Sequence, residues 1–174
     1  MSTHCQTTQA LPSGTWQVDP AHSTIGFEVR DMTQLIATVR GRFTDYDGTL
    51  VVGMDGTARS SAAIRVASLT TDHAYRDEHL RSPDFLGAGT HPEIRFESDR
   101  IEVIDGDRIH INGRMALKGI EQPVQLEGRL LGKGVDQRGA ERLAIAADGT
   151  IAFGPTSVTL RIEVSAIKAG RNDE

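Results

Sequence analysis

The sequence predicts an all-β fold, an antiparallel up-and-down β-barrel of about eight strands with a short helical insertion. Three features point to it. Apolar and polar residues alternate with period two in run after run, the runs are punctuated by tight Gly- and Asp-containing turns such as Asp105-Gly106, and only Asp72 to Phe96 abandons that pattern at length. Closing the sheet into a barrel also removes the exposed strand edges that an open sheet would carry.

Residues 1–14 are expected to form a flexible N-terminal tail, because this polar leader has little apolar surface to offset its ordering entropy. Residues 15–169 read as one domain and 170–174 as a C-terminal tail. Trp16 and Val18 alternate with Gln17 and Asp19, and Ile25, Phe27 and Val29 alternate with Gly26 and Glu28, which marks two strands joined by a turn at Asp19-Pro20-Ala21-His22. A third strand is expected from about Ile36 to Phe43, then a hairpin turn at Asp45-Tyr46-Asp47-Gly48 into Thr49 to Val52. Gly53 to Ser60 reads as loop, and Ala62, Ile64 and Val66 as one face of the next strand.

The exceptional stretch follows. Asp72 is expected to cap a short helix crowded with charge (Arg76, Asp77, Glu78), with Leu80 as its apolar anchor. Ser82-Pro83-Asp84 reads as a second helix start, Phe85 and Leu86 as its inward residues, and Gly87 and Gly89 as its end. Such a segment would plug one end of the barrel.

Beyond it, strands are expected from Ile94 to Val103 and, after the Asp105-Gly106 turn, from Arg108 to Leu117, with Ile109, Ile111, Gly113, Met115 and Leu117 on one face. Lys118-Gly119-Ile120-Glu121 connects to a strand carrying Val124, Leu126, Gly128 and Leu130. Gly132 to Ala140 reads as a polar loop, Leu143, Ile145 and Ala147 as a strand, and Val158 to Ala166 as the last strand.

Composition narrows the function classes. At 174 residues the chain can bury one core, and 18 glycines with 38% hydrophobic residues suit many short strands better than a helical bundle. A net charge of -5 speaks against nucleic acid, whose phosphates require a concentrated basic face. The lone cysteine, Cys5, has no intrachain disulfide partner, and no stretch is apolar enough for a secretory leader or a membrane span. The expectation is a cytoplasmic protein without a transmembrane segment.

The stretch Arg76-Asp77-Glu78-His79-Leu80-Arg81-Ser82-Pro83-Asp84-Phe85, with His91-Pro92-Glu93-Ile94-Arg95-Phe96 after it, resembles the signature of the YceI-like family. Val18-Asp19-Pro20-Ala21-His22-Ser23, Val39-Arg40-Gly41-Arg42-Phe43, Leu117-Lys118-Gly119-Ile120 and Pro123-Val124 match as well, so the resemblance runs from Trp16 to about Lys168. It implies a lipocalin-like barrel that binds a polyisoprenoid chain, and family habit adds a homodimer. Many relatives are exported, which the cytoplasmic expectation departs from. Two further departures stand out. Only Phe153-Gly154-Pro155-Thr156 occupies the place where relatives carry a sizeable loop, which puts the lid and the enclosed chain length in question, and Asp31 stands where histidine is frequent.

The inward faces mix large residues with Gly41, Gly113, Gly128 and Ala147, a pattern that fits either an apolar tunnel or a tightly bent, filled barrel. With the resemblance, the tunnel is the expectation, walled by Phe27, Val29, Phe43, Ile64, Phe96, Met115, Leu126, Ile145 and Ile162. Burying about 400 Å² of isoprenoid chain at roughly 25 cal/mol per Å² yields on the order of 10 kcal/mol before ordering costs, so apolar contact alone could supply affinity. Arg30, Arg76, His79 and Arg81 form a polar cluster that would either meet a head group, pyrophosphate or quinone, or tie the plug to the barrel.

Other chemistry finds little footing. The histidines lack zinc-ligand spacing, no nucleophile elbow, phosphate loop or dinucleotide fingerprint is present, and so neither a metal, a cofactor nor catalytic residues are expected. The reading is non-enzymatic binding, storage or transport of an isoprenoid lipid, either a polyprenyl chain or an isoprenoid quinone. The alternative is a solid barrel scaffold acting as a protein-interaction module.

Overall fold

The computed structural model describes residues 11–31, 37–153 and 156–169. Three of its strands are broken into halves. β1 (Gly14–Val18) and β2 (Thr24–Asp31) are separated by a 3-10 turn at Pro20–His22, β3 (Ala37–Phe43) and β4 (Tyr46–Val52) by Thr44 and Asp45, and β5 (Ala58–Arg65) and β6 (Leu69–Thr70) by a 3-10 turn at Val66–Ser68. Helix α1 (Ala74–Arg81) follows. The remaining strands are continuous: β7 (Glu93–Ile104), β8 (Arg108–Leu117), β9 (Ile120–Val135), β10 (Glu141–Phe153) and β11 (Thr156–Lys168).

Every pairing is antiparallel, and β11 closes the ring by pairing with both halves of the first strand, Val158–Glu163 with β2 and Ala166–Lys168 with β1. With the halves counted together, the result is the expected closed barrel of eight strands in up-and-down order with one short helix. Its upper end carries α1, the Lys118-Gly119 turn and the ends of β10 and β11, where Phe153 pairs with Thr156; Gly154 and Pro155 of the expected short turn lie outside the described residues. Its lower end carries the turns at Gly53–Thr57, Asp105–Asp107 and Asp136–Ala140. No helix among the described residues is long and apolar enough to cross a membrane.

The three strand breaks lie side by side. Thr44 N donates to Ser68 O (3.3 Å) and Arg65 N to Asp45 O (2.9 Å), so the wall bends along one line instead of turning back. This corrects the hairpin expected at Asp45 to Gly48: β3 and β4 run in the same direction, and Gly48 sits within β4 opposite Ala62. Turn-forming residues here serve a kink. Val66, expected within a strand, begins the third break yet remains 2% exposed.

Other boundaries shift for local reasons. Asp72 does not cap α1; it has a φ of 61°, and His73 Nδ1 accepts from Arg76 N instead (3.3 Å). Ser82 ends α1 instead of starting a second helix, because Pro83 disfavours the helical conformation before it and the chain passes into turns ending at Gly87, whose φ is +62°. The polar loop expected from Gly132 shrinks to Asp136–Ala140, since β9 and β10 pair out to Val135 and Glu141. Backbone pairing on a solvated rim requires no apolar face, so the alternation gave no sign of it. The loop expected at Gly53 to Ser60 is likewise only a turn, closed by Gly53 N to Thr57 O (2.8 Å).

Two apolar clusters stack along the barrel. The upper one contains Phe43, Tyr46, Ile64, Ile94, Met115 and Leu126, and the lower one Leu11, Trp16, Leu50, Ile109, Leu143 and Ile145. Leu11, placed by its sequence in a tail, is 7% exposed, and Trp16 Nε1 donates to Pro12 O (2.9 Å) to hold that crossing beneath the barrel. Cys5 lies outside the described residues.

Candidate ligand-binding cavity

Side chains of both clusters border one cavity along the axis. It measures about 910 Å³ and extends from Phe27, Phe43 and Phe96 above to Leu11, Leu143 and Ile145 below. All nine side chains of the expected tunnel, Phe27, Val29, Phe43, Ile64, Phe96, Met115, Leu126, Ile145 and Ile162, lie on its wall. The pleat explains this for each strand, because residues two apart share a face. In β7 the face changes parity: Ile94, Phe96 and Ser98 point inward, then a bulge between Ser98 and Arg100 turns Ile101 inward.

Glycines make room for the large residues. A β-carbon at Gly41 would lie 2.3 Å from Phe27 Cζ, and one at Gly113 would lie 2.7 Å from Phe96 Cε2. Both aromatic rings therefore lie back across a neighbouring strand instead of filling the axis, and Phe27 meets Phe43 with ring centroids 5.5 Å apart. This is how a wall that carries Phe27, Phe43 and Phe96 leaves a hollow.

The upper end is closed by α1 and the turns after it, which present Leu80, Phe85 and Leu86 to the cavity. The plug is fastened at Thr71, just past β6. Asp77, 6% exposed, accepts from Thr71 N (2.7 Å) and from the Thr71 hydroxyl, while Arg76 donates from Nε to Thr71 Oγ1 (2.8 Å) and from Nη2 to Thr71 O (2.9 Å). Burial pushes the Asp77 carboxyl up, but the Thr71 hydrogen bonds and the Arg81 charge outweigh it and hold it below the usual carboxylate range. His79 packs edge-on against Phe85 at 4.8 Å.

Beside the plug the cavity reaches solvent, since Arg30 and His79 both border it and are exposed. Arg76 borders the same mouth. Arg81 does not: its Nη2 donates to Leu69 O (2.6 Å) and ties α1 to β6. The expected polar cluster thus divides: Arg30 and His79 lie at the mouth, Arg76 borders the cavity while its guanidinium fastens the plug at Thr71, and Arg81 serves the plug's attachment alone. Within the upper cluster Tyr46 is buried, and that burial, followed by the Asp19 charge, pushes its phenol up.

Several wall residues went unnoticed in the sequence. Ile109 and Leu143 share the alternating faces already identified and could have been included. Leu80, expected as the helix's anchor, and Phe85 and Leu86, expected to face inward, also border the cavity, and Leu11 carries no signal because it precedes the first alternation.

A closed up-and-down barrel with a continuous apolar cavity, plugged by a helix at one end, defines a lipocalin-like barrel. The chain belongs to the YceI-like family: the YceI-like domain matches residues 16–166. It is 35% identical over 132 residues to protein YceI of Escherichia coli O157:H7, covering 75% of this chain and 68% of that protein. Over 157 residues it is 30% identical to protein YceI of Salmonella newport, covering 88% and 81%. Among solved structures, Burkholderia cenocepacia BcnA matches with a TM-score of 0.73 at 16% identity, over 85% of this chain and 98% of that one. A polyisoprenoid binding domain from Saccharophagus degradans, implicated in plant cell wall breakdown, matches with a TM-score of 0.65 at 12% identity, over 88% and 98%. These structural likenesses establish the shared fold.

Proposed function

We propose that this protein binds one isoprenoid lipid, a polyprenyl chain or the tail of an isoprenoid quinone, inside its barrel and stores or carries it without chemical change. The observation that carries this reading is the cavity of about 910 Å³ with its apolar wall. At roughly 30 Å³ per carbon-sized group, close to the share of one water in the liquid, it has room for on the order of 30 carbons. A slender apolar chain suits it, and burial of that chain supplies the main driving force. The polyisoprenoid binding domain of Saccharophagus degradans, with the same fold, supports the choice of ligand class.

Arg30, Arg76 and His79 would face the head group at the mouth, where solvent access makes charge affordable. Arg81 acts only through the plug. The solid-scaffold alternative requires side chains meeting across the axis, and the hollow weighs against it. The test is native mass spectrometry and lipid extraction of the purified protein, before and after incubation with polyprenols and isoprenoid quinones. One lipid bound per chain supports the proposal, and no bound species at any chain length overturns it.

A further inference from the structure

The barrel wall has a seam. β5 and β7 pair only from Ser61 to Arg65 against Glu93 to Glu97; one residue lower, Ser60 N turns to the Ser98 side chain (2.7 Å). The bulge beside Ser98 then carries the rest of β7 away with β8, so that from Arg100 to Ile104 its other edge pairs with no strand among the described residues. Outside this parting lies a groove of about 370 Å³ bordered by Ala58, Arg100, Val103 and Ile104. Two side chains, Leu11 and Ile101, border both that groove and the interior cavity.

Leu11 and Ile101 are held differently. Ile101 belongs to a paired strand, whereas Leu11 reaches the seam from the crossing that the Trp16–Pro12 hydrogen bond secures beneath the barrel. It is only 7% exposed, belongs to the cluster of Leu50, Ile109 and Leu143, and stands between hollow and groove. An isoprenoid entering from the mouth beside the plug meets this side chain at the far end of its path.

We propose that Leu11 sets the longest isoprenoid chain the barrel retains, by stopping the seam between β5 and β7 through which a longer tail would pass into the outer groove. This rests on the lipid-binding reading above and adds to it a length limit with a named determinant. A chain that ends short of Leu11 is wholly enclosed. A longer one must either leave part of its tail at the mouth, in water, or displace the stopper.

The experiment offers the full-length protein a mixture of polyprenols differing by one isoprene unit, and reads the retained lengths by native mass spectrometry. Wild type should show an upper cut-off. Leu11→Ala should raise it by at least one unit and enrich the next longer chain about tenfold, while Leu11→Phe, which keeps the site filled, should lower it. Adding Ala58→Leu to Leu11→Ala narrows the groove from outside and should return the cut-off toward wild type. The same cut-off in all variants overturns this inference and leaves lipid binding standing; a wild type that retains no polyprenol overturns both. Should Leu11→Ala fail to fold, an unchanged cut-off in Leu11→Phe suffices to overturn the inference.

Discussion

The carboxylate of Asp77, on the buried side of α1, accepts the backbone N–H of Thr71 at 2.7 Å and the hydroxyl of the same residue. Six residues apart, these two side chains turn a helix with little apolar surface into a fixed plug. Asp77→Asn should lower stability by about 1–3 kcal/mol, the range for disrupting a buried, charge-assisted hydrogen bond, and Thr71→Val should act in the same direction. Chemical denaturation followed by Trp16 fluorescence measures both; a change within error in either would show that the plug is held by its apolar contacts alone.

Acid should loosen the plug and, separately, the Asp19–Arg142–Asp136 contacts. Asp77 and Asp19 are held below the usual carboxylate range, Asp19 by hydrogen bonds from His22 and Arg142, and Asp136 is lowered to about 2, chiefly by its hydrogen bond from Arg142. A carboxyl with a lower pKa folded than unfolded contributes stability that is complete above the unfolded value and lost as pH falls through the folded one. The contribution of these three should therefore be constant down to about pH 5 and disappear between about pH 4 and pH 2. Denaturation midpoints across that range provide the check.

Arg142 joins distant parts of the barrel, donating from Nε to Asp136 Oδ2 (2.6 Å) and from Nη1 to Asp19 Oδ2 (3.0 Å). Arg142→Met should raise the Asp136 carboxyl from about 2 toward the ordinary 3.8, and Asp19 should rise with it. Carbon-detected NMR titration of the two carboxyls reads the change directly.

Gly41 and Phe27 set the width of the upper hollow. Gly41→Ala places a methyl where the Phe27 ring now lies and should push that ring toward the axis, at a cost of about 1–3 kcal/mol. Lipid capacity should fall in the same variant. Unchanged capacity would mean that the chain path avoids Phe27.

Ala147 distinguishes a hollow from a filled core. It is 8% exposed and borders the cavity, so Ala147→Leu projects its added carbons into open space. The variant should lose less than about 1 kcal/mol, below the usual overpacking penalty, yet bind lipid more weakly. A full overpacking penalty would indicate that the space is already occupied by side chains.

The sequence revealed most of the barrel because its strands have one wet and one apolar face, and alternation records that directly. The nine expected wall residues could be chosen for the same reason. What alternation could not show were events along the backbone. The kink at Asp45 uses the residues of a hairpin, the bulge beside Ser98 changes parity where Asp99 and Arg100 are both polar, and the outer ends of β9 and β10 pair without an apolar face. Arg81 was indistinguishable in sequence from Arg76, because both flank the same plug. Only the course of the chain shows that both donate to backbone carbonyls, Arg76 at Thr71 where it also borders the cavity and Arg81 at Leu69 where it does not. The hollow itself depended on how Phe27 and Phe96 lie across glycines on neighbouring strands, a pairing that no local pattern encodes.

The most direct measurement is a crystal structure of the protein after loading with a polyprenol. The account predicts continuous, elongated density beginning at the mouth beside Arg30 and His79, passing Phe27 and Met115, and ending against Leu11. Density confined to the outer surface, or side chains closed across the axis with the lipid excluded, would contradict it.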